Sequence, residues 1–355
     1  MTIAKRFPVA TASLRTLTVG CALAVAVSLA GCGDGGTPTA RIAEPQPVGG
    51  PPLVRRLTES QYRATIADIF GSDIPVVGRF ERGVRTEGLI AVGTSVVGFS
   101  PFGMEQYHAT ARGIADAVFS EEHRDELVPC STSGEQSEGA QSSGQSFDEA
   151  CAQRFVEHYG PLLFRRPMDQ DEVASYVSLA RQGYELVGDF YGGLSHMLAG
   201  MLVAPEFLHR IERVDTSPSD SESLQLDPYS KAAGLSFFLT NSTPDAELLR
   251  AAGSGELDTK QGLERQVDRL MASPRFEQAL RAFFADMLEF DLFEDLTKDS
   301  QIYPAFNSDV VADAQEQTLR TITHHLMEKG GDYRDLFTTR ETFLTRSLGV
   351  VYRVP

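Results

Sequence analysis

Apolar residues recur at every third or fourth position through most of the chain beyond residue 53, and a small polar residue precedes nearly every such run. This spacing lines one face of an α-helix, and a Ser, Thr, Asp or Asn ahead of it accepts a hydrogen bond from the first unpaired amides. In the first run, Thr58 and Gln61 have capping-box spacing, and Leu57 and Tyr62 have the spacing of a hydrophobic staple. Tyr62, Ile66, Ile69 and Phe70 continue that face, and Gly71 ends it. Ser100-Pro101 predicts a second start, with Tyr107, Ala111, Ile114, Ala115 and Val118 turned inward. Asp148 is expected to cap a helix marked by Phe155, Val156 and Tyr159, which Gly160-Pro161 should stop. Asp169 and Glu172 form the next box, ahead of Val173, Tyr176, Val177, Ala180 and Tyr184 on one face. Leu194 to Val203 is apolar almost all round, so it is expected to be the most buried helix, and Pro205 breaks it.

The stretch from Leu226 to Leu257 is the hinge of the pattern. Asp227 caps a helix with Pro228 at its first position, Thr243 and Pro244 repeat the device, and Gly253 closes the second helix. Leu235, Phe238 and Leu239 make an apolar stripe that needs partners from both sides of the sequence. Asp258 with Gln261 starts a helix bearing Leu263, Val267, Leu270 and Met271. Ser273-Pro274 starts the next, whose stripe of Phe276, Leu280, Phe283, Phe284, Met287 and Leu288 is the strongest helical pattern in the chain. An acidic loop follows, then a long helix from Ser308 to Lys329 that stops at Gly330-Gly331. Between Ile74 and Gly98, glycines punctuate short β-branched pieces, which predicts an irregular loop layer with room for one small hairpin. No segment sustains strand alternation between hairpin turns, so the expected class is all-α, a bundle of short capped helices.

The first residues follow another rule. Lys5, Arg6 and Arg15 form a basic leader, and Leu17 to Ala30 is an apolar run too short to span a membrane. It ends in Leu29-Ala30-Gly31-Cys32, which resembles a bacterial lipobox: the leader is cut before Cys32, and Cys32 carries the lipid. An ordinary secretory signal or an uncleaved anchor is the alternative. Gly33 stands where an Asp would retain a lipoprotein at the inner membrane, so outer-membrane sorting is expected. Gly33 to Pro52 is rich in Gly, Pro and Thr and reads as a flexible tether. Cys21 leaves with the leader, so Cys130 and Cys151 remain as a pair around a Ser/Gly/Gln-rich insert. In an oxidising envelope compartment they are expected to bond; free buried thiols or metal ligands are the other readings. The organisation expected is a signal peptide over 1–31, a lipidated tether over 32–52, an insert over 131–147, and helical blocks over 53–130, 148–225 and 226–355.

Composition narrows the partners. The 355 residues can bury a large core, but the formal charge of −17 argues against nucleic acid, which needs a basic surface. Removing a leader with three basic residues makes the mature chain more acidic still.

Several landmarks, in order, resemble a planctomycete- and myxobacterial-type family called domain of unknown function fifteen-ninety-two, with its companion blocks. Arg56-Leu-Thr-x-x-x-Tyr62 is similar to the opening block, and Cys151-Ala-x-x-Phe155 with Phe164-Arg-Arg-Pro167 and Glu172-Val173 to the second. The third runs from Leu226-Asp-x-Tyr229 through Leu235-Ser-Phe-Phe-Leu239, Pro244-Asp-x-Glu-Leu-Leu249 and Ser273-Pro-Arg-Phe276 to Tyr352-x-x-Pro355. Family members usually carry tryptophans near positions 240 and 287, where this chain has Thr240 and Met287. The resemblance also implies further blocks after Tyr352-x-x-Pro355, so the last block is expected to be incomplete, and a truncated copy is one reading. Some relatives carry c-type haem or polysaccharide-related modules, but no Cys-x-x-Cys-His occurs here, and no cofactor is expected.

No pattern for nucleotide, zinc-hydrolase or serine-nucleophile chemistry is present, and no catalytic or metal residue is assigned. His324 and His325 are adjacent on a helix and point about 100° apart, so a surface ion-pair row of Glu316, Arg320, His324 and Glu328 is expected rather than a metal or acid–base site. Asp291, Glu294, Asp295 and Asp299 read as a solvated acidic loop, with a cation site as the alternative. Arg165 and Arg166 are expected to pair with carboxylates of neighbouring helices, an anion site being the rival reading, and His196 reads as a satisfied core histidine. The function expected is a lipid-anchored envelope scaffold or binding subunit with envelope-protein partners. A component of an extracellular polysaccharide-degrading or haem-linked redox system is the alternative.

Overall fold

The computed structural model describes residues 51–96, 98–130, 146–216 and 224–354. Cys32, the leader and the tether lie outside the described residues. A short antiparallel pair, β1 (Val54–Arg56) with β2 (His209–Ile211), ties the start of the fold to its middle, and Arg55 faces Arg210 across it. Three residues per strand are too few for alternation to show in sequence. Helix accounts for 63% and strand for 4% of the described residues, so the class is all-α.

Before the insert come α1 (Glu59–Phe70), α2 (Ile90–Gly93), α3 (Pro101–Val118) and α4 (Arg124–Leu127). After it come α5 (Glu149–Phe164), α6 (Gln170–Val187), α7 (Phe190–Val203) and α8 (Pro205–Leu208). The capping boxes at Thr58/Gln61 and Asp169/Glu172 both form, and Ser100 and Asp148 cap α3 and α5. The helix expected to be most buried is α7, which packs against α3, α5, α6 and α8. Its Leu194, Met197, Leu198, Met201 and Leu202 are fully enclosed, together with Tyr62, Phe155 and Phe207. The Tyr62 ring meets Phe80, Tyr107 and Phe207 at 5.0–5.8 Å.

Helices α6 and α7 cross at two glycines. A Cβ on Gly193 would lie 2.6 Å from the Ala180 carbonyl and 3.0 Å from the Tyr184 amide, both backbone atoms of α6. Gly193→Val is therefore expected to push the two helices apart and cost roughly 1–3 kcal/mol or more. Urea denaturation checks this, and an unchanged midpoint would contradict the crossing.

The second half holds α9 (Pro228–Thr240), α10 (Ala246–Gly253), α11 (Lys260–Met271), α12 (Arg275–Met287), α13 (Ser308–Thr323) and α14 (Arg346–Tyr352). A smaller core of Ala232, Leu239, Leu248, Ala251, Ala252, Leu257 and Leu270 joins the first three.

Five expectations need correction. Pro161 does not stop α5, which runs on to Phe164. An internal proline costs about 3 kcal/mol, but the extra turn buries Leu163 and Phe164, worth about 1.5–3 kcal/mol each. The cap of α10 is Asp245, whose carboxylate accepts from the Leu248 amide at 2.8 Å; Thr243 instead donates to the Leu162 carbonyl at 2.8 Å. Thr259, not Asp258, caps α11. The inward phenylalanine of α9 is Phe237, lying 5.8 Å from the Arg165 guanidinium and 5.1 Å from that of Arg210, while Phe238 is 80% exposed. His196 is exposed at the α6–α7 crossing, so it is no core histidine.

Candidate functional site

The apolar stripe of α12 is where the structure departs most from expectation. Phe284 is buried, but Phe283 is 47% exposed and Leu288 is also exposed. The helix packs on α9, α11 and α13, and these leave part of its apolar face uncovered. Beyond Arg275, the buried side chains among the described residues are Ala279, Phe284, Val310, Ile322, Thr323 and Leu348. Over the same stretch Tyr333, Phe337, Leu344, Val350, Val351 and Tyr352 are exposed. A single exposed apolar residue is ordinary; a continuous set marks a surface that something covers.

Tyr333, Phe337, Leu344 and Tyr352, with Phe284 and Met287 of α12 and Leu288 just after it, line a groove of about 630 Å³. Asn307 caps α13 through the Val310 amide at 3.0 Å, and the helix runs to Thr323. It then opens into one π turn, His324–Glu328, before Gly330 adopts φ +60° and reverses the chain. The turn places the His325 ring against Gly331, where an added Cβ would lie 2.5 Å from Nε2. His325 Nε2 lies 2.9 Å from the Asp332 carbonyl. The returning chain forms a 3-10 turn at Tyr333–Phe337 and then α14, which packs back on α13. Thr345 caps α14 and donates to Asp313 at 2.6 Å. Phe284 and Ile322 form the floor of the groove, Met287, Leu336, Phe337 and Leu344 its walls, and Gln317, Thr318, Thr321 and Thr342 supply hydroxyl and amide groups. The Tyr352 hydroxyl donates to Gln317 Oε1 at 3.2 Å at one end.

The same element is bolted to the first half of the fold. Asp286 on α12 accepts from the Ile90 and Ala91 amides at 3.0 and 3.1 Å and from Arg85 Nη1 at 2.7 Å. Arg85 also reaches Asp291, Arg82 reaches Asp295, and Arg275 pairs with Asp68 at 2.6 Å. The acidic loop expected to be solvated is thus held by arginines of the glycine-rich layer. A rigid seat under one wall is what a groove needs to hold its shape.

The other candidate residues scatter. His324 Nδ1 lies 2.8 Å from Glu328, but Glu316 pairs with Arg281 at 2.9 Å, and Arg320 stacks over Phe343. The expected ion-pair row is therefore broken into three separate contacts. The two histidines have different partners, and among the described residues no three His, Cys, Asp or Glu side chains converge as a metal set. A disulfide joins Cys130 to Cys151, with Cα atoms 5.7 Å apart. Among the described residues no helix is long and apolar enough to cross a membrane.

Arg165 and Arg166 part ways. Arg166 pairs bidentately with Glu172 at 2.6 and 2.8 Å. That hydrogen bond, with the Asp169 amide, holds the Glu172 carboxyl down at about 2. Because the folded value is depressed, this stabilisation is complete above the ordinary carboxylate value of 4.5 and is lost as pH falls toward about 2. Glu172→Gln is expected to shrink the fall in the urea midpoint across that window; an identical acid profile would count against the pair. Arg165 makes no ion pair with a carboxylate among the described residues, though Glu206 attracts it. Its Nη2 donates to the carbonyls of Glu206, Phe207 at 3.2 Å and His209 at 2.7 Å, where α8 ends.

The family model described as PSD4, a protein of unknown function (DUF1592), matches residues 226–354. Two others match upstream: PSD5 (DUF1595) over 151–212 and PSD3 (DUF1587) over 55–120, both also of unknown function. This is a DUF1592 protein with its DUF1595 and DUF1587 companions. A search of curated proteins finds no match, and neither does a search of solved structures. The DUF1587 segment holds α1 to α3, the DUF1595 segment α5 to β2, and the DUF1592 segment α9 to α14. Every residue lining the groove belongs to the DUF1592 segment. The α12 stripe stands out in the sequence as the strongest helical pattern, but its spacing does not say how much of it is covered. The second signal was the apolar run Val350, Val351, Tyr352 and Val354, which exceeds what a one-sided helix of seven residues can bury.

Proposed function

We propose that this DUF1592 protein is a lipid-anchored subunit of the bacterial envelope that binds a partner protein through the groove of its DUF1592 segment. The exposed groove between α12, α13 and α14 carries the reading. Its volume lies in the range of small-molecule sites, but Phe283, Val350 and Val351 on the helices that form it are exposed as well. An open groove lined by apolar side chains from three helices and by threonine hydroxyls fits the apolar face of an amphipathic helix better than an enclosed small molecule. The charge of −17 favours a helix with neutral or basic flanks. The lipobox at Leu29-Ala30-Gly31-Cys32 supports the anchor, and Gly33 supports outer-membrane sorting.

A photo-crosslinking residue at position 337 of the full chain, in cells of the native host, tests the groove. The expected result is one discrete protein adduct, absent when the crosslinker stands at Leu186, a position 78% exposed on α6, and abolished by Leu344→Asp. Adducts of equal yield at both positions, or lipid adducts alone at 337, would overturn it. The anchor is tested separately: Cys32→Ser is expected to release the chain from membranes, and a variant still sedimenting with them would remove that part of the proposal.

A further inference from the structure

Beside β2 lies a second, much smaller pocket of about 20 Å³, space for one water-sized guest. Three arginines line it: Arg165 closing α5, Arg210 in β2 and Arg213 just after it. Arg165 is 4% exposed, and while its Nη2 serves three carbonyls, its Nη1 is buried with no acceptor. Arg210 reaches Glu212 only at 3.9 Å, and that carboxylate is already held by Arg55 at 2.7 Å. The Arg213 side chain is exposed at the mouth of the pocket and makes no ion pair among the described residues. Its amide donates to Ser230 Oγ at 2.9 Å, which leaves the Ser230 hydroxyl hydrogen without an acceptor among those residues. Glu206 is the one acid in the lining; it attracts Arg165 but makes no ion-pair contact with these arginines among the described residues.

The lining therefore brings together three arginines, Arg165 buried, Arg210 half-buried and Arg213 exposed, against one carboxylate in a chain that is acidic overall. Burial, then repulsion from Arg210 and Arg213, pushes Arg165 down to about 9, and burial with repulsion from Arg55 pushes Arg210 to about 10. Glu206 attracts Arg165 and Glu212 attracts Arg210, but neither offsets the burial, and a buried charge that is only partly countered is costly for a fold to keep. A water would satisfy the free donors but leave the charge. A tetrahedral oxyanion is too large for a single-guest space.

We infer that this pocket is a binding site for one chloride-sized monovalent anion, held by the Arg165 guanidinium, Arg213 and the Ser230 hydroxyl. The site lies at the seam of β2 and α9, between the DUF1595 and DUF1592 segments, so the anion would also clamp that seam. The inference is independent of the groove.

The test is thermal unfolding of the full chain in sodium chloride against sodium gluconate at one constant ionic strength. The expected result is a chloride-specific, saturable rise in Tm, because a ligand bound only by the folded state stabilises it. Arg213→Gln is expected to raise the chloride midpoint by about tenfold or more, since it removes one charge-assisted contact. Ser230→Ala, which changes no charge, should raise it less, and it keeps the inference testable if the arginine variant fails to fold. A crystal soaked in sodium bromide should show the anomalous signal of one bromide in this pocket. Equal Tm in the two salts, a rise that survives both substitutions, or a pocket holding only water in the bromide crystal would each overturn the site.

Discussion

Truncating Phe155 to alanine is expected to destabilise the protein by about 4–5 kcal/mol, the upper part of the range for buried phenylalanines. Phe155 is fully enclosed on α5, its ring 5.0 Å from Phe119 and 4.6 Å from Tyr159. Removing the ring loses transfer energy of about 1.5–3 kcal/mol and opens a cavity that the neighbours cannot close. Tyr159 is held by a hydrogen bond from its hydroxyl to the Leu127 carbonyl at 2.7 Å, and Phe119 terminates α3. Neither ring is therefore free to swing into the gap, which places the cost in the upper part of the range. The comparison is Phe238→Ala, the same substitution on α9 at a position 80% exposed, where a change within about 0.5 kcal/mol is expected. Urea denaturation at constant m-value measures both. Equal losses, or a larger loss at Phe238, would mean that the two halves of the bundle are oriented differently from this structure.

That pair also shows how far periodicity carries a sequence reading. Phe238 shares a face with Leu235 and Leu239 by helical spacing, whereas Phe237 stands about 200° from Leu235, yet the buried side of the helix holds Ala232, Ser236, Phe237, Leu239 and Thr240. What decides is tertiary: Phe237 has two guanidinium faces to lie against, and Phe238 has none. Helix ends were legible where a side chain makes the cap, as at Thr58, Ser100, Asp148, Asp169 and Asp227. They were less so where two polar residues compete, as Thr243 did with Asp245. The left-handed backbone at Arg165, φ +58°, leaves no sequence trace, since glycine or asparagine is the residue expected there. Yet that turn is what sends its guanidinium back onto the end of α8. The groove was hidden for a related reason. A helical stripe shows that a face is apolar, and it says nothing about whether the same chain covers it. On α7 the stripe is covered on several sides, and on α12 part of it is left open.

Breaking the Cys130–Cys151 disulfide is expected to cost about 3 kcal/mol, because the bond closes a loop spanning 21 positions and restrains the unfolded chain accordingly. Its position in the fold makes the loss local as well as entropic. Cys151 is buried in the first turn of α5, its amide capped by Asp148 at 2.9 Å, and Cys130 follows directly on α4 and the buried Val128. The bond therefore holds the stretch that follows the DUF1587 segment against the helix that opens the DUF1595 segment. The double variant Cys130→Ala with Cys151→Ala avoids a stray thiol and should show the full loss. Treating the wild type with reductant should reproduce it, while the double variant should not respond to reductant at all. Halving the insert between the two cysteines is expected to lower the contribution of the bond by only about 0.6 kcal/mol, since closure entropy changes slowly with length. A wild type as stable reduced as oxidised would show that the pairing adds nothing to the fold. It would also weaken the envelope placement, because a stabilising disulfide is a feature a chain keeps where thiols are oxidised.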